Sequence, residues 1–380
     1  MRDFLQSKEE EMLQLLEKLV NIDSGTYVKN GIDKVGSLLQ KEYEALGYVV
    51  KVHEQPERGN NLTIRHKDAA DPQILAIAHM DTVFVEGTVQ ERPFTRDEKR
   101  AYGPGVFDMK GSQVALLYAL KALIEEGTEA YKNVVIILNS DEEIGSPESR
   151  PLIETVAREV KYALIVEPSQ SREKVVTERK GGGKYFLKVS GIAAHAGGEP
   201  EKGRSAIEEL AHKILKLHQL TDLEAGVTLN VGIIQGGTSV NTISPYAYGA
   251  LDVRVETPEQ AEEIDRKIRE ICATPDVEGT SIELTGQMRR PPLILSEQSR
   301  ELLAVVKEVG RELGVEIEDT KSGGGSDGNL TAAVGVATID GLGPIGGKAH
   351  SAEEYLEIDS LVDRTLFLAS IIKKLSEKRV

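Results

Sequence analysis

Asp141, Glu142 and Glu143 stand in a row directly after residues 134–138, a continuous apolar and β-branched run. Three adjacent carboxylates repel one another, so burying them requires a cation or a shared proton. Other acids and two histidines occupy comparable places. His79 follows the apolar run 74–78, and Asp81 comes two residues later. Glu167 follows the run 162–166. Asp108 lies in the glycine-rich segment 103–111, and His350 in a late loop, 346–354. Taken singly, each has a plainer role: an acidic turn, a hydrogen-bonded loop histidine, or an aspartate capping a helix. Together, His79, Asp108, Glu143, Glu167 and His350 are five nitrogen and oxygen ligands of the kind that suits zinc or another first-row divalent ion. No cysteine is among them, which speaks against a purely structural zinc. Asp81 is placed to accept the second ring N–H of His79, as partners of metal-bound imidazoles do.

The elements that must position these groups follow from the pattern. Runs 74–78, 134–138 and 162–166 read as strands buried on both faces, separated by helical stretches 112–123 and 148–159. That alternation gives βαβ units and a parallel sheet. In such sheets ligands bind past the carboxyl ends of the strands, where His79, Glu143 and Glu167 fall. Residues 1–20 read as one amphipathic helix, 35–46 as a second, 49–52 as a short strand, and 60–64 as a strand at an edge. From about Glu178 the texture becomes alternating, as in half-exposed antiparallel strands. Strands 184–190, 227–234, 247–255 and 281–284, with helices 206–217 and 258–271, give β-α-β-β-α-β, the ferredoxin-like order. The expected organisation is a discontinuous catalytic metal-binding domain, 1–177 and 291–380, with a lid of residues 178–290 inserted. Helix 296–313, strand 334–339 and helix 361–375 complete it.

The 380 residues carry a net charge of −16, which argues against nucleic acid or anionic membrane as a partner. No apolar run approaches the length of a membrane span. The single cysteine, Cys272, rules out an internal disulfide framework. With no apolar h-region at the N-terminus, a cytoplasmic location is expected.

The ordered set Ala78-His-Met-Asp-Thr82, Gly105-Val-Phe-Asp-Met-Lys-Gly111, Ser140-Asp-Glu-Glu-Ile-Gly145, Val166-Glu-Pro168, Ala194-His-Ala-Gly197, Asp252-Val-Arg254, Gly323-Gly-Gly-Ser-Asp327 and Ala349-His-Ser351 spans nearly the whole chain. It resembles the zinc-dependent exopeptidase family of aminoacylase, carboxypeptidase G (glutamate carboxypeptidase) and succinyl-diaminopimelate desuccinylase. The resemblance implies that family's α/β fold, a mixed and mainly parallel sheet flanked by helices, with the inserted ferredoxin-like lid serving in dimerisation. It implies two divalent ions, zinc with cobalt or manganese as alternatives, bridged by Asp108. His79 and Glu167 would hold one, Glu143 and His350 the other. Asp81 would orient His79, and Glu142 would be the general base for a bridging water. The Asp108–Met109 peptide would be cis. His195 resembles the oxyanion-stabilising histidine, supplied across a homodimer, with hinges near Glu178 and Pro291. Asn241 and Arg254 resemble substrate-carboxylate binders, with the backbone of Gly325 beside them. Arg290 and Lys174 match basic positions of the glutamate carboxypeptidase branch, whereas Val176 replaces its small hydroxyl residue. The implied reaction is hydrolysis of a small peptide, or of an N-acyl amino acid, next to a free carboxylate. A non-catalytic metal-binding protein on this fold is the competing class, and the presence of Glu142 argues against it.

Overall fold

The computed structural model describes residues 1–377. The chain forms two compact units. The first comprises Met1–Glu178, Leu295–Ser322 and the chain from Ser326 onward; the second is Arg179–Ile294 with Gly323–Gly325.

The first unit is built on a six-stranded sheet of β1 (Tyr48–His53), β2 (Asn61–His66), β3 (Ile74–His79), β4 (Val134–Asn139), β5 (Tyr162–Ile165) and the strand Ala337–Ile339. Their order is β1-β2-β4-β3-β5 and then Ala337–Ile339. The last four strands are mutually parallel, while β2 runs antiparallel to both its neighbours, β1 and β4. Both faces of β3 and β4 are covered, as their unbroken apolar sequence requires. Ile74, Ala76, Val134 and Ile136 face one apolar cluster, and Leu75, Ile77, Val135 and Ile137 face another. Helix α1 (Gly111–Glu125) contributes to the first cluster with nearly its whole surface, and the closing helix Ile358–Glu377 packs on it. Helix α2 (Arg150–Ala157) covers the other face through Ile153, Val156 and Ala157.

Some local expectations change. Strand β2 is internal and not an edge, because β1 covers it on one side and β4 on the other. The N-terminal helix is two, Arg2–Ser7 and Glu9–Val20, broken at Lys8. The helix expected over 35–46 begins earlier, spanning Lys29–Ala45. Several short strands carry no sequence signal. Among them, Thr95–Arg96, Arg100–Tyr102, Gly346–Gly347 and Tyr355–Glu357 form a small sheet.

The second unit has strands β6 (Gly181–Ser190), β7 (Thr228–Gly236), β8 (Tyr246–Val255) and β9 (Ser281–Arg290), with helices α3 (Ala206–His218) and α4 (Pro258–Ala273). The antiparallel order β7-β8-β6-β9 is that of a ferredoxin-like sheet. On α3, Lys213 and Glu209 are buried and lie 3.1 Å apart; Lys213 Nζ also reaches Asp276 Oδ2 at 2.7 Å. Glu209 Oε2 in turn accepts the backbone N–H of Asp276 and Val277. Removing one partner of a buried pair strands the other charge, at about 3–5 kcal/mol. Lys213→Met should destabilise this unit by roughly that amount, read as a lowered urea midpoint, and an unchanged midpoint would contradict it. Hydrogen bonds from Lys213 and Lys216 hold the Asp276 carboxyl down to about 2. Its contribution is therefore present above the ordinary value near 3.9, and is lost as pH falls toward 2.

Candidate metal centre

His79 ends β3 level with Asn139, the last residue of β4, and β5 flanks β3 on its other side. The carboxyl ends of three parallel strands thus bring His79, the 141–143 row and Glu167 to one edge. Asp108 comes from the wide turn Val106–Lys110, where its own backbone is not helical. The Asp108–Met109 bond is cis, as expected. His350 lies at the tip of a hairpin whose arms are Gly346–Gly347 and Tyr355–Glu357. Its φ of 63° is in the left-handed region.

Asp108 stands between the two histidines. Its Oδ1 is 3.1 Å from His79 Nε2, and its Oδ2 is 3.1 Å from His350 Nε2. His79 Nε2 also faces Glu167 Oε1 at 3.9 Å, and His350 Nε2 faces Glu143 Oε2 at 3.4 Å. His79, Asp108, Glu143, Glu167 and His350 therefore converge. Glu142 is beside them: His79, Glu142 and Glu167 offer ligand atoms within 4.8 Å of one another, as do His79, Asp108 and Glu143.

The three acids in the row part company. Asp141 is buried away from the cluster, where it accepts the Ser149 hydroxyl at 2.5 Å and the Glu148 N–H at 2.7 Å. That is the helix-supporting role open to any acid in such a turn, and it falls to Asp141 alone. Asp81 does more than was expected of it. The nearest acceptor to His79 Nδ1 is the Asp81 carbonyl at 2.9 Å, with the carboxylate oxygen Oδ1 at 3.4 Å. This fixes the Nδ1–H tautomer and leaves Nε2 to the cluster. The Asp81 carboxylate accepts the backbone N–H groups of Glu142 at 3.1 Å and Glu143 at 3.3 Å, and the Thr26 hydroxyl at 2.7 Å. One buried acid thereby fixes the turn that presents both glutamates.

Burial pushes the Glu143 carboxyl up to about 7, partly offset by His350. Burial also raises Glu167 well above the usual range, against the pull of His79. His350 is driven up to about 10 by hydrogen bonds to Asp108 and then Glu143. For His79, burial disfavours the charged form, but Asp108 and Asp81 outweigh it and raise it well above its ordinary value. Asp108 is likewise disfavoured as an anion by burial, yet the two histidines hold it well below the carboxylate range. Glu143 Oε1 is buried without a hydrogen-bond partner. Converging acids, an orphaned carboxylate oxygen and two imidazoles presenting Nε2 fit divalent cations better than protons.

The expected substrate contacts in the second unit fall into two groups. His195, on a two-residue strand paired with Thr242–Ile243, accepts the N–H groups of Gly197 and Gly198 on Nδ1. Asn241 lies beside it, and its carbonyl accepts the Ala196 N–H at 2.9 Å. Arg254, Arg290 and Gly325 are elsewhere: Arg254 and Arg290 both register against Gly182 of β6. A Cβ on Gly325 would stand 2.6 Å from Arg290 Cδ, so the loop passes close over that side chain. Arg254 also pairs with Asp252 at 2.9 Å. The span of β8 from Tyr246 to Arg254 is roughly 27 Å at about 3.4 Å per residue; Arg254 lies near one end of it, and the small pair of strands beside Asn241 joins the chain at the other. Lys174 begins the strand Lys174–Arg179 and takes no part in the cluster's hydrogen bonds.

Several supporting residues escaped the sequence reading. Besides Thr26, Gln113 Nε2 donates to the His79 carbonyl at 2.5 Å, and Met109 Sδ accepts the His79 N–H. Lys110 is buried with its Nζ on the Ile22 carbonyl, and burial pushes it down to about 7. Glu354, buried, accepts three backbone N–H groups of the Asp108 loop. The motif Gly105–Gly111 marked Met109 and Lys110, but backbone partners leave no mark in a sequence.

The family model described as Peptidase family M20/M25/M40 matches residues 75–374. The chain belongs to this peptidase family. It is 31% identical to carboxypeptidase G2 of Pseudomonas sp. (strain RS-16) over 367 residues, covering 94% of this chain and 88% of that protein. It is 25% identical to succinyl-diaminopimelate desuccinylase of Thioalkalivibrio sulfidiphilus, covering 96% of this chain and 98% of that one. The crystal structure of an aminopeptidase from Bacillus cereus superposes with a TM-score of 0.79 at 22% identity, covering 97% and 99% of the two chains. The family's fold and hydrolytic class therefore apply to this chain. Among the described residues, no helix is long and apolar enough to cross a membrane.

Proposed function

We propose that the chain is a metal-dependent carboxypeptidase that cleaves an amide next to a free carboxylate, with glutamate as the released residue. The observation that carries this reading is Asp108, whose two oxygens each face the Nε2 of a different histidine. His79, Asp108 and Glu167 would hold one zinc, and Asp108, Glu143 and His350 the other, with cobalt or manganese as alternatives. Such ions, when bound, lower the pKa of a water and polarise the amide carbonyl. Glu142 takes the proton from the attacking water and delivers it to the leaving nitrogen. Asp81 holds Glu142 in place through its backbone N–H and keeps His79 in one tautomer.

We further propose that domain 178–290 acts as a lid and dimerisation module and that His195 completes the site of a partner copy. Two features support this. Strand β7 is an open sheet edge exposing Ile233 and Ile234, and α3 exposes Ile207 and Leu215. Unpaired edges of this kind are templates for a second chain. Moreover, His195 with Asn241, and Arg254 with Arg290, are too far apart along β8 for one small substrate to touch both groups from a single copy. Mixing His195→Ala chains with Glu142→Ala chains, each inactive alone, should restore one working site per mixed dimer. No recovery after proven subunit exchange would show that His195 does not act in trans.

The substrate test is a hydrolysis panel of dipeptides, N-acyl amino acids and pteroyl-glutamate on apo protein reloaded with zinc, cobalt or manganese. Preferential release of C-terminal glutamate supports the reading, and Lys174 and Arg290 would then be its side-chain contacts. A second reading, an N-acyl amino acid deacylase, is favoured by the likeness to succinyl-diaminopimelate desuccinylase; the buried Val176, where the resemblance implies a small hydroxyl residue, speaks against a glutamate preference. Turnover of acyl amino acids alone would select it, and no amide hydrolysis with any metal would sink both.

A further inference from the structure

Glu354 lies four residues beyond His350 and is 1% exposed. Its Oε1 accepts the N–H groups of Phe107 and Asp108, each at 2.9 Å, and its Oε2 accepts that of Gly105 at 3.2 Å. These three donors come from the loop that carries Asp108. The acceptor stands at the foot of the hairpin that carries His350. The two loops also share a base, since Tyr355–Glu357 pairs with Arg100–Tyr102, from which the Asp108 loop departs. One side chain thus ties together the two segments whose tips present His350 Nε2 and Asp108 Oδ2, 3.1 Å apart. His79, by contrast, ends β3 and is held by Gln113 and Asp81, and Glu167 follows β5; of these contacts only that of Met109 Sδ with the His79 N–H comes from the loop that Glu354 holds. We propose that Glu354 is a positioning residue that sets the spacing of Asp108 and His350, and so selectively governs retention of the ion those two share with Glu143.

This rests on the two-ion reading above, and the experiment separates the two. Apo protein is titrated with zinc against a competing chelator, giving two affinities; metal content after dialysis gives the stoichiometry. Loss of an outer hydrogen-bond partner typically weakens metal binding about 10–100-fold. Glu354→Gln turns one acceptor oxygen into a donor that faces a backbone N–H. It should weaken the second zinc by that factor, weaken the first less, since His79 and Glu167 keep their own supports, and dialyse to one ion per chain. Glu354→Asp keeps both oxygens on a shorter arm and should fall between. It carries the same comparison if circular dichroism shows the Gln variant unfolded. Two unchanged affinities, or both weakened equally, would reduce Glu354 to a general brace of the loop and overturn the inference. A wild-type chain that binds fewer than two zinc ions would sink the two-ion reading, and this inference with it.

Discussion

Glu142→Ala should keep its metal and lose turnover by about 10²–10⁴, the usual contribution of a general base. The metal should stay because Asp108 and the four groups around it are untouched and because Asp81 grips the backbone N–H at position 142, not its side chain. Glu143→Ala is the matched control. Its carboxylate faces His350 and is buried, so its removal should lower metal content as well as rate. The comparison matters because Glu142 lies within 4.8 Å of His79 and Glu167 ligand atoms and is itself a possible ligand by position. Metal analysis of the two variants assigns the roles. Near-normal turnover in Glu142→Ala would mean that another group moves the proton.

Asp108→Ala should have the largest effect on metal binding, since it removes the one carboxylate that faces both histidines. Both ions should be lost on dialysis against chelator, with turnover falling to background. The gap should also change the apo protein. Without metal, Asp108 is the larger of the two carboxylates, ahead of Glu143, that raise His350 to about 10, and is the first of the carboxylates raising His79. Removing it should bring the His350 titration, followed by NMR, back toward its ordinary value near 6.5. The sign is that of a group with a raised folded-state pKa. The stabilisation it supplies to the wild-type apo protein is full below about 6.5, and fades as pH rises toward 10. A variant that retains both ions would refute the bridging assignment.

Much of the centre was legible because strand ends have a sequence signature. Apolar runs 74–78 and 134–138 are unbroken since both faces of β3 and β4 are buried, and whatever follows such a run lands at the sheet's carboxyl edge. His350 and Asp108 were different. Their loops are placed by two- and three-residue strands, too short for any periodicity, and by Glu354, whose partners are backbone N–H groups. For the same reason the work of Asp81 on the 142–143 turn could not be foreseen, although its nearness to His79 could. Strand β2 was expected at an edge, and nothing in its short run 60–64 names the strands beside it. In the fold, β1 covers it on one side and β4 on the other.

The row Asp141, Glu142 and Glu143 shows that three neighbouring acids can be told apart by phase alone. The first turns inward to hold a helix start, and the next two are carried by amides hung on Asp81. Side-chain chemistry barely distinguishes them; their place in the count from the end of β4 does. Exchanging aspartate for glutamate within the row changes reach by one methylene and leaves the assignments standing. Deleting Ser140 would instead put Glu142 in the place of Asp141 and Glu143 in that of Glu142, leaving the same acid types in the chain and an isoleucine where Glu143 stood.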